Sequence, residues 1–248
     1  MGYFPATTEA TPKTDERKLI APVWHTIVLI VIMVLLSLSQ MHQTQKLSAM
    51  NLSSRLPLYI FMICFELSLL LYVWGLGLRK TGTRVSDLIG GKWATASDFG
   101  RDVGVALLFW VVVVAMLGAM NKILGGNQGA LEAVKDLLPQ SPAEMVVWVL
   151  LSVTAGFCEE TVFRGYFQKQ FFALTGRVEI AIVLQAIVFG IGHVYQGTKS
   201  AFVITIYGAL FGILAAKRKS LRPGMMQHAA QDSFSGIAAS ILARHKYF

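Results

Sequence analysis

The chain has 248 residues, of which 54% are hydrophobic and only 15% are charged, and its mean hydropathy is +0.57. A soluble domain carries about 25% charged residues, so this composition excludes an ordinary soluble enzyme. Several charge-poor stretches reach the ~20 apolar residues that are needed to cross a bilayer. We therefore predict an all-α, multi-pass transmembrane helical bundle of seven to eight membrane helices, with any active site inside the bundle.

The predicted elements begin with a polar N-terminal tail over residues 1–22, and residues 23–248 form a single transmembrane domain. No small-residue cleavage site follows the first apolar segment, which favours a retained span over a signal peptide. An amphipathic segment from Leu131 to Leu138 is predicted to lie at the membrane surface. The predicted spans in chain order are Val23–Leu38, Leu56–Leu78, Val103–Met120, Pro142 to at least Phe157, Val178–Tyr195, Ala201–Ala216 and Met225–Ala243.

The helical pattern of the fourth span continues beyond Phe157, from Glu159 to Leu174. Two structures fit this pattern: one long tilted helix, or a span followed by a re-entrant helix. His25, near the start of the first span, is predicted to lie at the membrane interface.

The net charge of +8 raises the question of whether the chain binds nucleic acid. With a cytoplasmic N-terminus and seven crossings, fifteen Lys and Arg residues fall on cytoplasmic segments and seven on the opposite side. This asymmetry obeys the positive-inside rule. Topology therefore explains the basic charge, and no nucleic-acid partner is predicted. In a prokaryote the protein would lie in the plasma membrane.

Six polar residues interrupt the apolar helices of the second half of the chain. A charged residue at the centre of a membrane helix costs about 2.5–3.5 kcal/mol, so such a group points to function. Helical spacing of four residues pairs Glu160 with Arg164 and pairs His228 with Asp232. The six residues are Glu159, Glu160, Arg164, His193, His228 and Asp232.

Three motifs lie in order on successive helices. They are Glu159-Glu160-Thr161-Val162-Phe163-Arg164, Phe189-Gly190-Ile191-Gly192-His193 and His228-Ala229-Ala230-Gln231-Asp232. The set resembles the EExxxR, FxxxH and HxxxN or HxxxD motifs of the CAAX protease and bacteriocin-processing (CPBP, or abortive-infection) family. The resemblance covers about residues 142–243 and implies an intramembrane endopeptidase.

The resemblance also implies a role for each motif residue. Glu159 would act as general base on a water molecule that it holds together with His193. Glu160 and Arg164 would orient the helix or the substrate. His228 and Asp232 would stabilise the oxyanion of the tetrahedral intermediate. The substrate would be a prenylated CAAX peptide or a bacterial leader or pheromone peptide, cleaved near the cytoplasmic face of the bilayer without a cofactor.

Two features of the sequence complicate these roles. An ionised Asp232 is an acceptor, so it can serve the oxyanion only when protonated; otherwise it fixes the tautomer of His228, which then donates alone. Counted from the predicted cytoplasmic ends of their helices, His193 lies roughly 22 Å deep and His228 roughly 8 Å deep. Two residues that share one water should lie at one depth.

Three alternative functions stay open. A zinc-dependent version of the protease would use Glu159, His193 and His228 as ligands with water as the fourth. A non-catalytic immunity or scaffold protein would bind a partner in the membrane. A small transporter would use Glu66 and the polar cluster as a proton relay. Glu66 belongs to no motif, and we expect it to be protonated and hydrogen-bonded, with a proton path as the alternative.

Overall fold

The computed structural model describes residues 18–49, 53–125 and 135–245. The predicted N-terminal tail up to residue 17 and the predicted surface segment up to residue 134 lie outside these ranges. Within them, five helices are long and apolar enough to cross a membrane. This finding agrees with the predicted all-α membrane bundle, while the number of crossings and the orientation of the N-terminus stay predictions.

The described part of the chain contains eight helices and no strand. Helix α2 includes a π-helical segment at Val73–Leu78, and α5 includes a second one at Glu160–Phe167. The helices are α1 (Val23–Ala49), α2 (Leu56–Thr81), α3 (Val85–Ile89), α4 (Ala96–Ile123), α5 (Pro142–Thr175), α6 (Val178–Gly192), α7 (Thr198–Arg218) and α8 (Arg222–His245).

Helix α5 is one continuous helix of 34 residues, which decides between the two structures considered for this region. Ser141 caps its N-terminus by accepting a hydrogen bond from the Glu144 backbone nitrogen, and Pro142 occupies the first turn. The π-helical segment at Glu160–Phe167 is buried along its whole length. Such segments are rare and occur frequently at functional sites. Here the segment contains part of the EExxxR motif.

Helices α6 and α8 differ from the predicted spans. Helix α6 ends at Gly192 because His193 leaves helical geometry (φ −111°, ψ 10°), and a short 3₁₀ turn follows at Val194–Gln196. Its 15 residues are shorter than a usual span. Helix α8 begins at Arg222, three residues before the predicted start, and its polar residues keep it out of the five apolar candidates.

The conflict between the depths of the two histidines disappears because α6 and α8 begin at different levels of α5. Helix α6 follows the C-terminus of α5 and returns over 15 residues, which brings His193 back to the level of Glu160. Helix α8 begins beside the middle of α5, since a Cβ added to Gly224 would lie 3.3 Å from Glu160 Oε2. Counting residues from the predicted helix ends therefore did not give the relative depths of His193 and His228.

A buried cluster anchors α1 to the π-helical segment of α5. His25 is fully buried, its Nδ1 lies 2.7 Å from the Tyr166 hydroxyl, and its ring stacks on Tyr72. Thr26 Oγ1 lies 2.8 Å from the same Tyr166 hydroxyl. The aromatic side chains of α2 and α5 thus bury the ring of His25, while its predicted position at the membrane interface stays a prediction.

Helices α5 and α8 pack closely at a glycine. A Cβ added to Gly156 would lie 2.8 Å from the Ala229 backbone nitrogen and 3.0 Å from the Met225 carbonyl oxygen. Because both neighbours are backbone atoms, only a shift of a whole helix can relieve the contact. This contact fixes α8, which carries His228, against the part of α5 that carries Glu159.

We predict that Gly156→Ala lowers the thermal unfolding temperature by several degrees, since overpacking costs about 1–3 kcal/mol. The matched control is Gly118→Ala, because Gly118 on α4 has no atom within 4 Å of its added Cβ. Thermal unfolding of both variants in detergent is the measurement. Equal unfolding temperatures for Gly156→Ala and the wild type would contradict the close approach of α5 and α8.

Candidate active site

The four residues predicted to be catalytic line one cavity of about 630 Å³. The cavity lies between α1, α2, α4, α5, α6, α7 and α8, and most of its lining is apolar. Glu160 and Arg164, which are predicted to orient the helix or the substrate, do not line the cavity and lie behind its wall. The cavity residues from the motifs are Glu159, His193, His228 and Asp232.

Behind the cavity, Arg164 and Glu160 form an ion pair that is almost completely buried. Arg164 Nη1 donates to Glu160 Oε1 at 2.9 Å, and the two side chains are 0% and 1% exposed. The guanidinium also lies over the rings of Phe189 (4.3 Å) and Phe211 (4.9 Å). Arg164 Nη2 is 3.4 Å from the Gly208 carbonyl oxygen. Arg164 thus connects α5 to α6 and α7.

His228 attaches α8 to this ion pair. Its Nδ1 donates to Glu160 Oε1 at 3.0 Å, because a carboxylate oxygen that already binds a guanidinium can only accept. The opposite nitrogen, Nε2, lies 3.4 Å from Asp232 Oδ2 and 3.7 Å from Glu159 Oε2. Both ring nitrogens therefore face carboxylate oxygens, which is an arrangement that suits a doubly protonated imidazole.

Glu159 reaches the cavity from the last turn before the π-helical segment. Its side chain is 16% exposed, and its Oε2 atom is shielded from solvent without a hydrogen-bond partner among the described residues. A buried polar atom without a partner needs an explanation. An ordered water molecule that bridges Glu159 to another polar group of the cavity would supply the missing hydrogen bond.

His193 is positioned at the C-terminal end of α6. Its Nδ1 lies 2.8 Å from the Phe189 carbonyl oxygen, and a carbonyl only accepts, so Nδ1 carries the proton. In the neutral ring Nε2 is then an acceptor. The rings of both His193 and His228 pack against the Phe189 ring, with centroid distances of 4.7 and 6.5 Å. The aromatic residue of the FxxxH motif thus separates and orients the two histidines.

Asp232 is the most exposed member of the group, with 41% of its side chain accessible. Its backbone carbonyl accepts a hydrogen bond from Trp148 Nε1 at 3.0 Å. Because its Oδ2 faces His228 Nε2, the geometry favours the second of the two roles considered for Asp232, in which it orients His228.

Sequence reasoning did not place Glu66 in this site, because it belongs to none of the three motifs. It lies on α2 and lines the same cavity as Glu159 and His228. The expectation of a hydrogen-bonded side chain is not met at its Oε2 atom, which is buried and has no hydrogen-bond partner among the described residues. The unusual position of a carboxylic acid within a membrane span was the available signal.

The structure also bears on the zinc alternative. Within the described ranges, no group of three or more His, Cys, Asp or Glu side chains is arranged to hold a metal ion. The proposed ligands Glu159, His193 and His228 share the cavity without forming a preassembled metal cluster.

Residues 141–234 match the protein family described as Rce1-like type II CAAX prenyl endopeptidases. The matched segment contains all three motifs and every charged residue of the site except Glu66. We call this matched segment the CAAX protease domain, after the family whose model it matches. No curated protein and no solved structure matches the chain. The CAAX protease domain comprises α5 to α7 and the first part of α8, whereas α1 to α4 lie outside it.

We predict that Arg164→Met strongly destabilises the CAAX protease domain, because it leaves Glu160 buried without its counter-ion. Breaking a buried pair in this way costs about 3–5 kcal/mol. Arg101→Met is the control, since Arg101 is 60% exposed and its ion pair with Asp98 is worth at most about 1 kcal/mol. Thermal unfolding in detergent measures both. Equal losses in the two variants would contradict the structural role of Arg164.

Proposed function

We propose that the chain is an intramembrane endopeptidase that hydrolyses a peptide bond with a water molecule activated by Glu159. The observation that carries the proposal is the convergence of Glu159, His193, His228 and Asp232 on one largely apolar cavity. The match to a family of endopeptidases supports the reaction class.

The reaction begins with a water molecule that donates one hydrogen bond to Glu159 and one to His193 Nε2. Glu159 takes a proton as the water oxygen attacks the scissile carbonyl carbon. The carbonyl oxygen becomes an oxyanion and accepts a hydrogen bond from His228 Nε2. Glu159 then returns its proton to the leaving nitrogen as the carbon–nitrogen bond breaks. Water is consumed, and the products are a new carboxyl terminus and a new amino terminus.

The remaining polar residues act through His228. The ion pair of Glu160 with Arg164 holds its Nδ1, and the carboxylate of Asp232 holds the charge on the other side of the ring. Asp232 is therefore a positioning residue in this proposal, and the oxyanion contact belongs to His228 alone.

The proposed substrate is a membrane-associated peptide, either a prenylated CAAX peptide or a leader or pheromone peptide. Five apolar helices long enough to cross a bilayer support a site at membrane depth. The excess of Lys and Arg on the predicted cytoplasmic segments supports cleavage near the cytoplasmic face.

We predict that Glu159→Gln abolishes cleavage, with a loss of at least about 100-fold in kcat, because the amide cannot accept a proton from water. The assay uses purified protein in detergent with a farnesylated CAAX peptide and unmodified leader-like peptides, and mass spectrometry identifies the products. Glu179→Gln, at an exposed glutamate in the first turn of α6, is the matched control and is expected to cleave normally.

The outcomes of this assay separate the possible functions. Normal cleavage by Glu159→Gln would contradict the role of Glu159 as general base. Absence of cleavage by the wild type, together with full biological activity of Glu159→Gln in cells, would favour an immunity or scaffold protein.

We predict that a zinc chelator leaves the cleavage rate unchanged, because Glu159 activates the water directly. The rate is measured on the same peptides before and after dialysis against the chelator. If the chelator abolished activity and added Zn²⁺ restored it, Glu159, His193 and His228 would be ligands of a zinc ion.

We predict that Asp232→Asn lowers kcat/KM by about 10- to 100-fold, because the imidazolium of His228 loses its counter-charge and donates less well to the oxyanion. Asp98→Asn, at a partly exposed aspartate in the first turn of α4, is the matched control. An Asp232→Asn variant as active as the wild type, or more active, would show that this position acts as a neutral donor to the oxyanion.

A further inference from the structure

Glu66 lies outside the CAAX protease domain, yet it faces the same cavity. It lies near the middle of α2, a helix that packs against α5. The other α2 residues in the cavity wall are apolar and include Met62, Phe65 and Leu69. A carboxylic acid at this position is costly, and neither the family match nor the proposed mechanism explains it.

The charges around the cavity indicate the state of Glu66. Arg164 is paired with Glu160, and His228 lies within 3.7 Å of both Glu159 and Asp232. Among the described residues no cation forms an ion pair with Glu66, and its Oε2 atom is buried without a hydrogen-bond partner. In an ionised carboxylate this Oε2 atom would be both unsolvated and unpaired, so the neutral acid is the stable form.

A neutral carboxylic acid carries one hydrogen-bond donor. A peptide that enters this cavity in an extended conformation brings backbone carbonyl groups that have lost their water. These carbonyls need donors, whereas Glu159 and Asp232 supply carboxylate oxygens, which accept. Glu66 also lines the cavity, from α2, but unlike Glu159 and Asp232 it forms no ion pair with His228 among the described residues.

We propose that Glu66, in its protonated form, anchors the substrate by donating a hydrogen bond to a backbone carbonyl of the bound peptide. This inference rests on the proposed endopeptidase function and adds a substrate-binding residue to it. Glu66 takes no part in proton transfer to or from water in this account. Its contribution is to binding, so it changes KM and the dissociation constant more than kcat.

The test compares Glu66→Gln with Glu66→Met, each also combined with Glu159→Gln so that the peptide binds without being cleaved. Gln keeps a neutral N–H donor, whereas Met keeps only the length of the side chain. The probe is a fluorescent form of whichever peptide the wild type cleaves, or of the farnesylated CAAX peptide if it cleaves none. Fluorescence anisotropy in detergent gives the dissociation constant, and thermal unfolding reports folding.

We expect Glu66→Gln to bind within about twofold of its parent and Glu66→Met to bind about fivefold more weakly, which is the size of one neutral hydrogen bond. In the background with Glu159 intact, KM should rise in Glu66→Met while kcat stays within about twofold. Both variants should unfold near the temperature of the parent.

Three results would overturn the proposal. Equal binding by the Gln and Met variants would show that Glu66 donates nothing to the peptide. A loss of kcat in Glu66→Gln would make Glu66 a proton-transfer residue instead. Absence of peptide binding in every variant would show that the cavity holds no peptide for Glu66 to anchor. If the wild type cleaves its peptide normally in any of these cases, the Glu66 proposal fails while the endopeptidase proposal stands.

Discussion

The rest of the site depends on one buried carboxylate, Glu160, which holds two cationic partners at a single oxygen. Arg164 and His228 approach Glu160 Oε1 at 2.9 and 3.0 Å from two different helices. Through this shared acceptor His228 forms a polar contact between α8 and the π-helical segment, and the contact fixes the orientation of its ring toward the cavity. The aromatic rings of Phe189 and Phe211 complete the enclosure of Arg164. A buried ion pair is seldom a net source of stability, so we infer that this pair serves to fix the position of His228.

The same geometry divides the charged residues into a supporting group and a reacting group. Glu160 and Arg164 lie behind the cavity wall, whereas Glu159, one residue earlier, lies in it. Consecutive residues of a helix diverge by about 100°, so adjacent glutamates serve separate purposes. His228 connects the groups because one ring nitrogen meets Glu160 and the other faces Glu159 and Asp232.

Much of this arrangement could be predicted from the sequence, because the cost of buried charge singles out the motif residues and helical spacing pairs them. The pairing of Glu160 with Arg164 and the all-α fold follow from these rules alone. The relative levels of α6 and α8 could not be predicted, since hydropathy gives the length of a helix but not its starting level in the bundle. The side-chain surroundings of Glu66 and His25 could not be predicted for a related reason. Their surroundings come from distant helices, and no local pattern encodes those contacts.

Catalysis by this site depends on the contact between Glu160 and His228. A double-mutant cycle tests this dependence most directly. The measurement is kcat/KM for Glu160→Gln, His228→Gln and the double variant, with thermal unfolding to confirm that each is folded. If Glu160 acts through His228, the double variant is little worse than His228→Gln alone, with a coupling of at least about 1 kcal/mol. Additive losses in the double variant would contradict the account, because the two residues would then act independently.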